Sequence, residues 1–392
     1  MLIKNAKVLT MEGSQEVYED LAILVEDGRI KAVGRDLEET GAILDAKGAI
    51  LMPGFIDAHC HLGMWEDALG FEGDDGNEMT NPITPELRAI DAINPMDRNF
   101  SEAIKGGVLT VCTGPGSANV MGGTFCVMKT CGHRVDDMLI KEAAAMKIAF
   151  GENPKRVYRG KDKTPSTRMA TAAELRKVLF EAREYYDGRQ LADESKRPKF
   201  DLKLESLLPV MEGKMPLKAH AHRADDIFTA LRIAREFNLK LTLEHVTEGH
   251  LIADDLAAEG VPCIVGPSFG DRSKVELKNK SFVTPGKLAA AGINVAIMTD
   301  HPVIPIEHLN MTAAYCVKEG MDHYEALKAL TINPARILEV DDRIGSIKAG
   351  KDADLVLWNG DPLDISSSVQ LAMVNGKVVY EKDIPISAGK QS

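Results

Sequence analysis

Residues 50–61 read Ile-Leu-Met-Pro-Gly-Phe-Ile-Asp-Ala-His-Cys-His, and this is the most informative stretch of the chain. An apolar run that ends in His59 and His61 predicts a buried β-strand, because side chains two positions apart lie on the same face of a strand. Imidazole is the commonest metal-ligating side chain near neutral pH. The two histidines therefore predict half of a metal site, with Cys60 on the opposite face of the strand.

The size and charge of the chain exclude several classes of function. Its 392 residues suit one large barrel with a small appended domain, and its net charge of −12 disfavours nucleic acid and anionic membranes as partners. No stretch approaches the ~20 apolar residues of a membrane span. Residues 1–7 lack the long apolar run of a signal peptide, and six scattered cysteines indicate free thiols in a reducing compartment. We expect a cytoplasmic protein.

The two ends of the chain carry similar hairpin patterns. Near the start, apolar residues 21–25 and residues 29–33 flank an Asp-Gly pair, and near the end residues 372–374 and 377–380 flank an Asn-Gly pair. These dipeptides are typical of tight β-hairpin turns. Because chain ends often lie together, we expect residues 1–53 and 341–392 to form one composite β-domain, a small β-sandwich.

The middle of the chain, residues 54–340, alternates short β-like runs with longer helical patterns such as 172–186 and 225–237. This alternation is typical of a parallel α/β sheet, and eight candidate strands predict a (β/α)8 TIM barrel. The third strand is the least secure, because only a glycine-rich turn separates it from the second. The candidate strands are 55–60, 108–112, 125–129, 146–150, 217–220, 240–245, 261–265 and 294–299.

Side chains that can bind metal follow four of these predicted strands. Because chemistry in such barrels gathers at the C-terminal strand ends, the coincidence predicts a metal centre there. The residues are His59 and His61 after the first strand, His220 and His222 after the fifth, His245 after the sixth and Asp300 after the eighth.

The fourth candidate strand offers two further groups, Lys147 within it and Glu152 at its end. A carboxylate at this point can bridge two metal ions, whereas a lysine can do so only after carboxylation. We favour Glu152, since a glutamate presents an anion without any modification, and Lys147 remains the alternative.

Together, residues 52–61, the Asn-Pro-Ala-Arg of 333–336 and residues 345–356 resemble the amidohydrolase superfamily, in the style of its imidazolonepropionase-like branch. The resemblance covers nearly the whole chain. It implies one or two divalent ions, with zinc expected and manganese or iron as alternatives. The implied metal ligands are His59, His61, His220, His245 and Asp300, with Glu152 or carboxylated Lys147 as a bridge.

The resemblance implies an enzyme that hydrolyses a carbon–nitrogen bond of a small amide, lactam or cyclic amidine through a metal-activated hydroxide. Asp300 is expected to move the proton, and His222 and His245 complete the predicted catalytic set. His222 either polarises the scissile carbonyl or packs on the other face of its strand. Arg223 and Arg272, with Lys274, are candidates to bind a substrate carboxylate.

Other functions stay open at this stage. A dipeptidase or a deaminase of the same superfamily is the main alternative, and a non-catalytic scaffold is disfavoured because all expected ligands are present. The acidic segment 65–80 is expected to be a solvated lid, or else to favour cationic substrates. The glycine-rich segment 113–123 lacks the dinucleotide fingerprint and is expected to be an active-site loop. The predicted partners are a small-molecule substrate and a second copy in a homodimer.

Overall fold

The computed structural model describes residues 1–13, 17–38, 41–67 and 70–382. Within these residues the strands form two eight-stranded sheets. The strands are β1 Leu2–Val8, β2 Tyr18–Glu26, β3 Arg29–Gly34, β4 Ile43–Asp45, β5 Ile50–Pro53, β6 Phe55–Cys60, β7 Val108–Thr113, β8 Met121–Lys129, β9 Leu139–Ala149, β10 Leu217–Ala221, β11 Leu241–His245, β12 Cys263–Val265, β13 Val295–Ile297, β14 Leu355–Trp358, β15 Val369–Val374 and β16 Lys377–Glu381.

Nine of the twelve described α-helices lie between strands of the second sheet, and the other three follow β13, its last strand. They are α1 Asn99–Lys105, α2 Val135–Met138, α3 Glu152–Arg159, α4 Arg168–Arg189, α5 Leu202–Glu205, α6 Leu208–Met211, α7 Ala224–Phe237, α8 Ala253–Glu259, α9 Val283–Ala290, α10 Leu309–Lys318, α11 His323–Lys328 and α12 Ile332–Ile337. The two helices predicted most clearly from sequence correspond to α4 and α7. Among the described residues, no helix combines the length and apolarity that crossing a bilayer requires.

The first sheet joins the start and the end of the chain, in the order β16-β15-β14-β5-β1-β2-β3, with β4 beside β1. Both predicted hairpins are present. In the β2–β3 turn Asp27 and Gly28 have φ values of 48° and 79°, and in the β15–β16 turn Asn375 and Gly376 have φ values of 48° and 71°. Positive φ at both central positions matches the twist of the flanking strands, which explains the Asp-Gly and Asn-Gly pairs.

All strands of this terminal sheet are connected by hydrogen-bonded pairing, so strands from both ends of the chain lie in one sheet. The two-layered β-sandwich form stays a prediction. So do the domain boundaries at residues 53 and 341, the cytoplasmic location and the homodimer.

The second sheet runs β13-β12-β11-β10-β9-β8-β7-β6 and forms a nearly closed TIM-like barrel. Backbone hydrogen bonds bridge its two edges, from His61 N to His301 O at 2.9 Å and from Asp300 N to His59 O at 3.3 Å. The prediction of a parallel sheet was wrong for one strand, because β8 is antiparallel to both β7 and β9. The short glycine-rich loop between β7 and β8 has no room for the helical crossover that a parallel pair needs.

Lys129 at the end of β8 fastens the barrel to the terminal sheet. It is only 4% exposed, and its Nζ lies 2.8 Å from Asp352 Oδ2 and 3.0 Å from Asp354 Oδ1. It also donates a hydrogen bond to the side chain of Asn375 in the β15–β16 turn. A buried ammonium with two carboxylate partners and an amide partner satisfies the rule that buried charges are paired.

Candidate active site

The strand ends of the barrel bring four of the predicted metal ligands to the wall of one cavity of about 400 Å³, namely His61, His220, His245 and Asp300. His59 is the last residue but one of β6, His220 lies in β10 and His245 ends β11. All three side chains are buried, and Asp300, which follows β13, is 14% exposed through its side chain. Lys147, two residues before the end of β9, lines the same cavity and is fully buried.

Two of these residues have a backbone conformation that residues other than glycine rarely adopt. His245 has a φ of 72° and Asp300 a φ of 55°, both in the left-handed region. Along a regular strand Glu244 and His245 would face opposite ways. The turn in the backbone at His245 lets both side chains reach the interior. Such strain is typical of functional sites, where the surrounding structure holds it in place.

Four imidazoles are oriented through their Nδ1 atoms. The contacts are His59 Nδ1 with Glu244 Oε2 at 2.7 Å, His61 Nδ1 with Gly114 O at 2.6 Å, His245 Nδ1 with Gly266 O at 2.8 Å and His222 Nδ1 with Thr247 Oγ1 at 2.7 Å. Carbonyl and carboxylate oxygens only accept, so Nδ1 carries the proton in His59, His61 and His245. Their Nε2 atoms therefore carry no proton and have a free lone pair. Histidines that bind metal in proteins are commonly oriented in this way.

The free ligand atoms converge in two overlapping groups. In one group, His59, His245 and Asp300 each offer an atom within 4.8 Å of the others. His61 lies beside this group, with its Nε2 3.1 Å from Asp300 Oδ1. The second group consists of His220, His222 and His245, again with all ligand atoms within 4.8 Å of one another. Among the described residues, these are the only such groups.

The donor set fits a divalent metal ion. Neither ring nitrogen of His220 has a hydrogen-bond partner within the described residues, and Nε2 of His245 likewise has none, although all three atoms are buried. Buried polar atoms without partners cost folding free energy and call for an explanation. Imidazole nitrogens with a carboxylate oxygen are the ligands that zinc prefers in enzymes.

Burial sets the charge state of these groups. Loss of solvent lowers the pKa of His59, His220 and His245 well below the usual histidine range, and that of His222 to about 3. The imidazoles are therefore neutral, as metal ligation requires. Burial also lowers the pKa of Lys147 to about 8. Its Nζ lies 3.1 Å from His59 Nε2, so a lysine with a lowered pKa lies beside the candidate metal ligands.

The structure does not bring Glu152 to the histidines. Gly151, with a φ of 82°, turns the chain out of β9, and Glu152 becomes the first residue of α3. Its backbone N–H donates to Glu276 Oε2 at 2.9 Å, and its side chain does not line the cavity. Of the two bridging candidates, Lys147 is the one that lies among the ligands.

The two predicted substrate arginines also lie apart from the cavity lining. Arg223 forms a two-point ion pair with Asp225, at 2.9 and 2.8 Å, and Arg272 donates to the backbone oxygen of Lys280 at 2.8 Å. Neither lines the cavity, whereas Lys274 does. Lys274 is held by a hydrogen bond from its Nζ to Asn153 Oδ1 at 2.7 Å.

Sequence reasoning missed several residues of the site. Glu244 and Lys218 form a fully buried ion pair, with 2.9 Å between Oε2 and Nζ, below the histidines. The signal was available, since Thr242 and Glu244 are polar at alternate positions of an otherwise apolar strand. Trp65, whose ring packs edge-on against His61 at 4.8 Å, and Glu276 come from loops and carry no such signal.

Comparison with known proteins identifies the family of the chain. The model of the amidohydrolase family matches residues 50–379. Amidohydrolase tasK of Hapsidospora irregularis is 29% identical over 93% of this chain, which spans only 40% of that relative's length. An imidazolonepropionase of Caldanaerobacter subterraneus subsp. tengcongensis is 25% identical, and the match covers 90% of this chain and 87% of the length of that relative.

Among solved structures, an amidohydrolase from Thermotoga maritima MSB8 superposes on this chain with a TM-score of 0.94 at 43% identity. The superposition covers 97% of this chain and all of the Thermotoga chain. A prolidase solved with N-methylphosphonate-L-proline shares the fold, with a TM-score of 0.61 at 17% identity. This chain therefore belongs to the amidohydrolase family, whose members are metal-dependent hydrolases that act on carbon–nitrogen bonds.

Proposed function

We propose that the protein hydrolyses a carbon–nitrogen bond in a small amide, lactam or cyclic amidine with the help of a divalent metal, zinc being the expected ion. One observation carries the proposal. Imidazoles from three strand ends and one carboxylate meet at a single cavity, and the imidazoles are held so that their lone pairs face one another.

Two metal positions are supported by this arrangement. His59, His61 and Asp300 would hold one ion, and His220, His222 and His245 would hold another. His245 is assigned to one ion alone, because its Nδ1 is used by Gly266 O and only its Nε2 can bind metal. Lys147, once carboxylated, would add an anionic ligand beside His59. When bound, the metal polarises the scissile carbonyl group and makes water a stronger nucleophile at neutral pH.

Asp300 is the residue that would move the proton. Its Oδ1 lies 3.1 Å from His61 Nε2 and 3.6 Å from His59 Nε2, and its side chain lines the cavity. A carboxylate so placed can accept a proton from the attacking water and return it to the leaving nitrogen. The leaving nitrogen needs that proton, because an unprotonated amide anion is a poor leaving group.

The cavity wall favours a substrate with an anionic group. Lys274 lines the cavity with its side chain 23% exposed, and its nearest carboxylate oxygen, on Glu276, is 4.0 Å away. An ammonium with a loose partner can bind a substrate carboxylate. The volume of about 400 Å³ lies in the range of small-molecule sites.

The proposal is tested by removing metal with a chelator, reloading zinc or manganese, and measuring turnover on three panels. These are N-acyl amino acids, dipeptides and cyclic amides. The deaminase alternative is examined with 5-methylthioadenosine, since a relative from Caldanaerobacter subterraneus is named for deaminating it. A folded protein that takes up no metal, or one equally active without it, would contradict the proposal.

A further inference from the structure

We propose that Glu276 supplies the negative charge of the metal position formed by His220, His222 and His245. The inference rests on the proposed metal-dependent function and adds to the site a residue from the loop between β12 and α9.

The two oxygens of Glu276 have different surroundings. The residue is 1% exposed, and its Oε2 accepts the backbone N–H of Glu152 at 2.9 Å. Its Oε1 has no hydrogen-bond partner among the described residues and lies 3.8 Å from His222 Nε2. One oxygen is thus anchored and the other is left free beside an imidazole.

The packing around this carboxylate is close. A Cβ atom at Gly151 would lie 2.7 Å from Glu276 Oε2, so only a glycine lets the chain pass here. His222 is held on its far side by Thr247, at 2.7 Å from Nδ1. Glu276 and His222 are therefore each held by a hydrogen bond at one atom, and their other atoms, Oε1 and Nε2, lie 3.8 Å apart.

Charge makes the case for an ion between these groups. The three imidazoles are neutral, so they bring no negative charge to a bound ion. A buried divalent ion without an anion nearby is strongly disfavoured. Asp300 meets this need in the other group of ligands, and Glu276 is the carboxylate with a free oxygen beside this one. A bound cation in turn gives that buried oxygen the partner it lacks.

The test is Glu276→Gln. Glutamine keeps the volume and an oxygen for the Glu152 N–H, but it replaces the charged free oxygen with an NH₂ group. Zinc stoichiometry and affinity are measured by elemental analysis and by competition with a chromophoric chelator. We expect the unaltered chain to bind two zinc ions, and the variant to bind one normally and the second at least ten-fold more weakly. The absorption spectrum of the cobalt-loaded protein should lose one component.

Glu248→Gln is the matched control. Glu248 is also a buried glutamate, but both its oxygens are used, by Ala224 N and by Asn279 Nδ2, at 2.9 Å each. Its variant should keep both zinc ions. Glu276→Asp keeps the charge and should hold the second ion more tightly than the glutamine variant does.

Thermal unfolding gives a second readout. Without metal, Glu276→Gln should be about as stable as the unaltered protein, because the buried carboxylate that it removes has only a long ion pair, 4.0 Å from Lys274 Nζ. With excess zinc, the Tm of Glu276→Gln should rise less than the Tm of the unaltered protein does. Undiminished binding of both ions by Glu276→Gln would overturn the inference, and loss of the second ion in Lys147→Met alone would assign the charge to carboxylated Lys147. An unaltered chain that binds no zinc would instead refute the proposed function.

Discussion

His59 Nδ1 lies 2.7 Å from Glu244 Oε2, and neither side chain is exposed to solvent. The same oxygen pairs with Lys218 Nζ at 2.9 Å, and Thr242 Oγ1 donates to the other carboxylate oxygen at 2.6 Å. Glu244 thus fixes the tautomer and the direction of His59, a proposed metal ligand, while Lys218 balances the charge of Glu244. Outer partners of this kind tune metal affinity as well as orientation.

Glu244→Gln should therefore weaken zinc binding about 10- to 100-fold. It should also lower the free energy of unfolding by about 3–5 kcal/mol, because Lys218 is left as an unpaired buried charge. Adding Lys218→Met to this variant should restore most of the stability but not the zinc affinity. Urea unfolding and zinc titration separate the two effects. Equal recovery of both would show that Glu244 acts only through folding.

The lowered pKa of Lys147, about 8, predicts a pH effect on the metal-free protein. The unfolded chain binds this proton up to about pH 10.5, whereas the folded chain releases it near pH 8, so stability rises with pH across that window. Between pH 7.5 and 9.5 the gain should be about 2 kcal/mol relative to Lys147→Met. Urea unfolding of both chelated proteins at the two pH values measures the difference, and parallel pH profiles would contradict it.

Asp300→Asn should abolish turnover while leaving the fold intact. An amide cannot accept the proton, so we expect kcat to fall by about 10²- to 10⁴-fold. Circular dichroism and zinc content serve as controls on folding and metal loading. Retained activity at normal zinc content would rule out Asp300 as the proton carrier.

Lys274→Met should raise KM for substrates with a carboxylate by about ten-fold or more, since one charge-assisted contact contributes about 1.5–3 kcal/mol. Neutral analogues of the same size should be unaffected. Arg223→Met is the comparison, because Arg223 is bound by Asp225 away from the cavity and should leave both KM values unchanged. A raised KM in Arg223→Met with an unchanged KM in Lys274→Met would instead show that Arg223 binds the substrate carboxylate.

Much of the architecture follows from local patterns in the sequence. The strand that carries His59, the paired hairpins with Asp-Gly and Asn-Gly turns, and the convergence of strand ends all depend on periodicity or turn chemistry within a few residues. The orientation of β8 could not be read in the same way. It depends on which neighbour the strand pairs with, and that is settled by the whole sheet.

The preference for Glu152 over Lys147 shows the limit more clearly. A strand end seemed the natural place for an anion, but Gly151 turns the chain away directly before Glu152. His245 illustrates the opposite case, because a positive φ lets two consecutive side chains reach the interior. Neither backbone turn follows from residue type alone. Arg223 was equally unpredictable, since only coordinates reveal that its partner is Asp225.

The strand with the first two histidines is continuous with the terminal sheet. Only Gly54 separates β5 from β6, and β5 pairs with β14, near the other end of the chain. A ribosome must therefore synthesise β14 before β5 gains that neighbour and the base of β6 is fully braced. Full bracing of β6 is accordingly a late event in the life of each molecule, and it follows translation of the barrel instead of accompanying it.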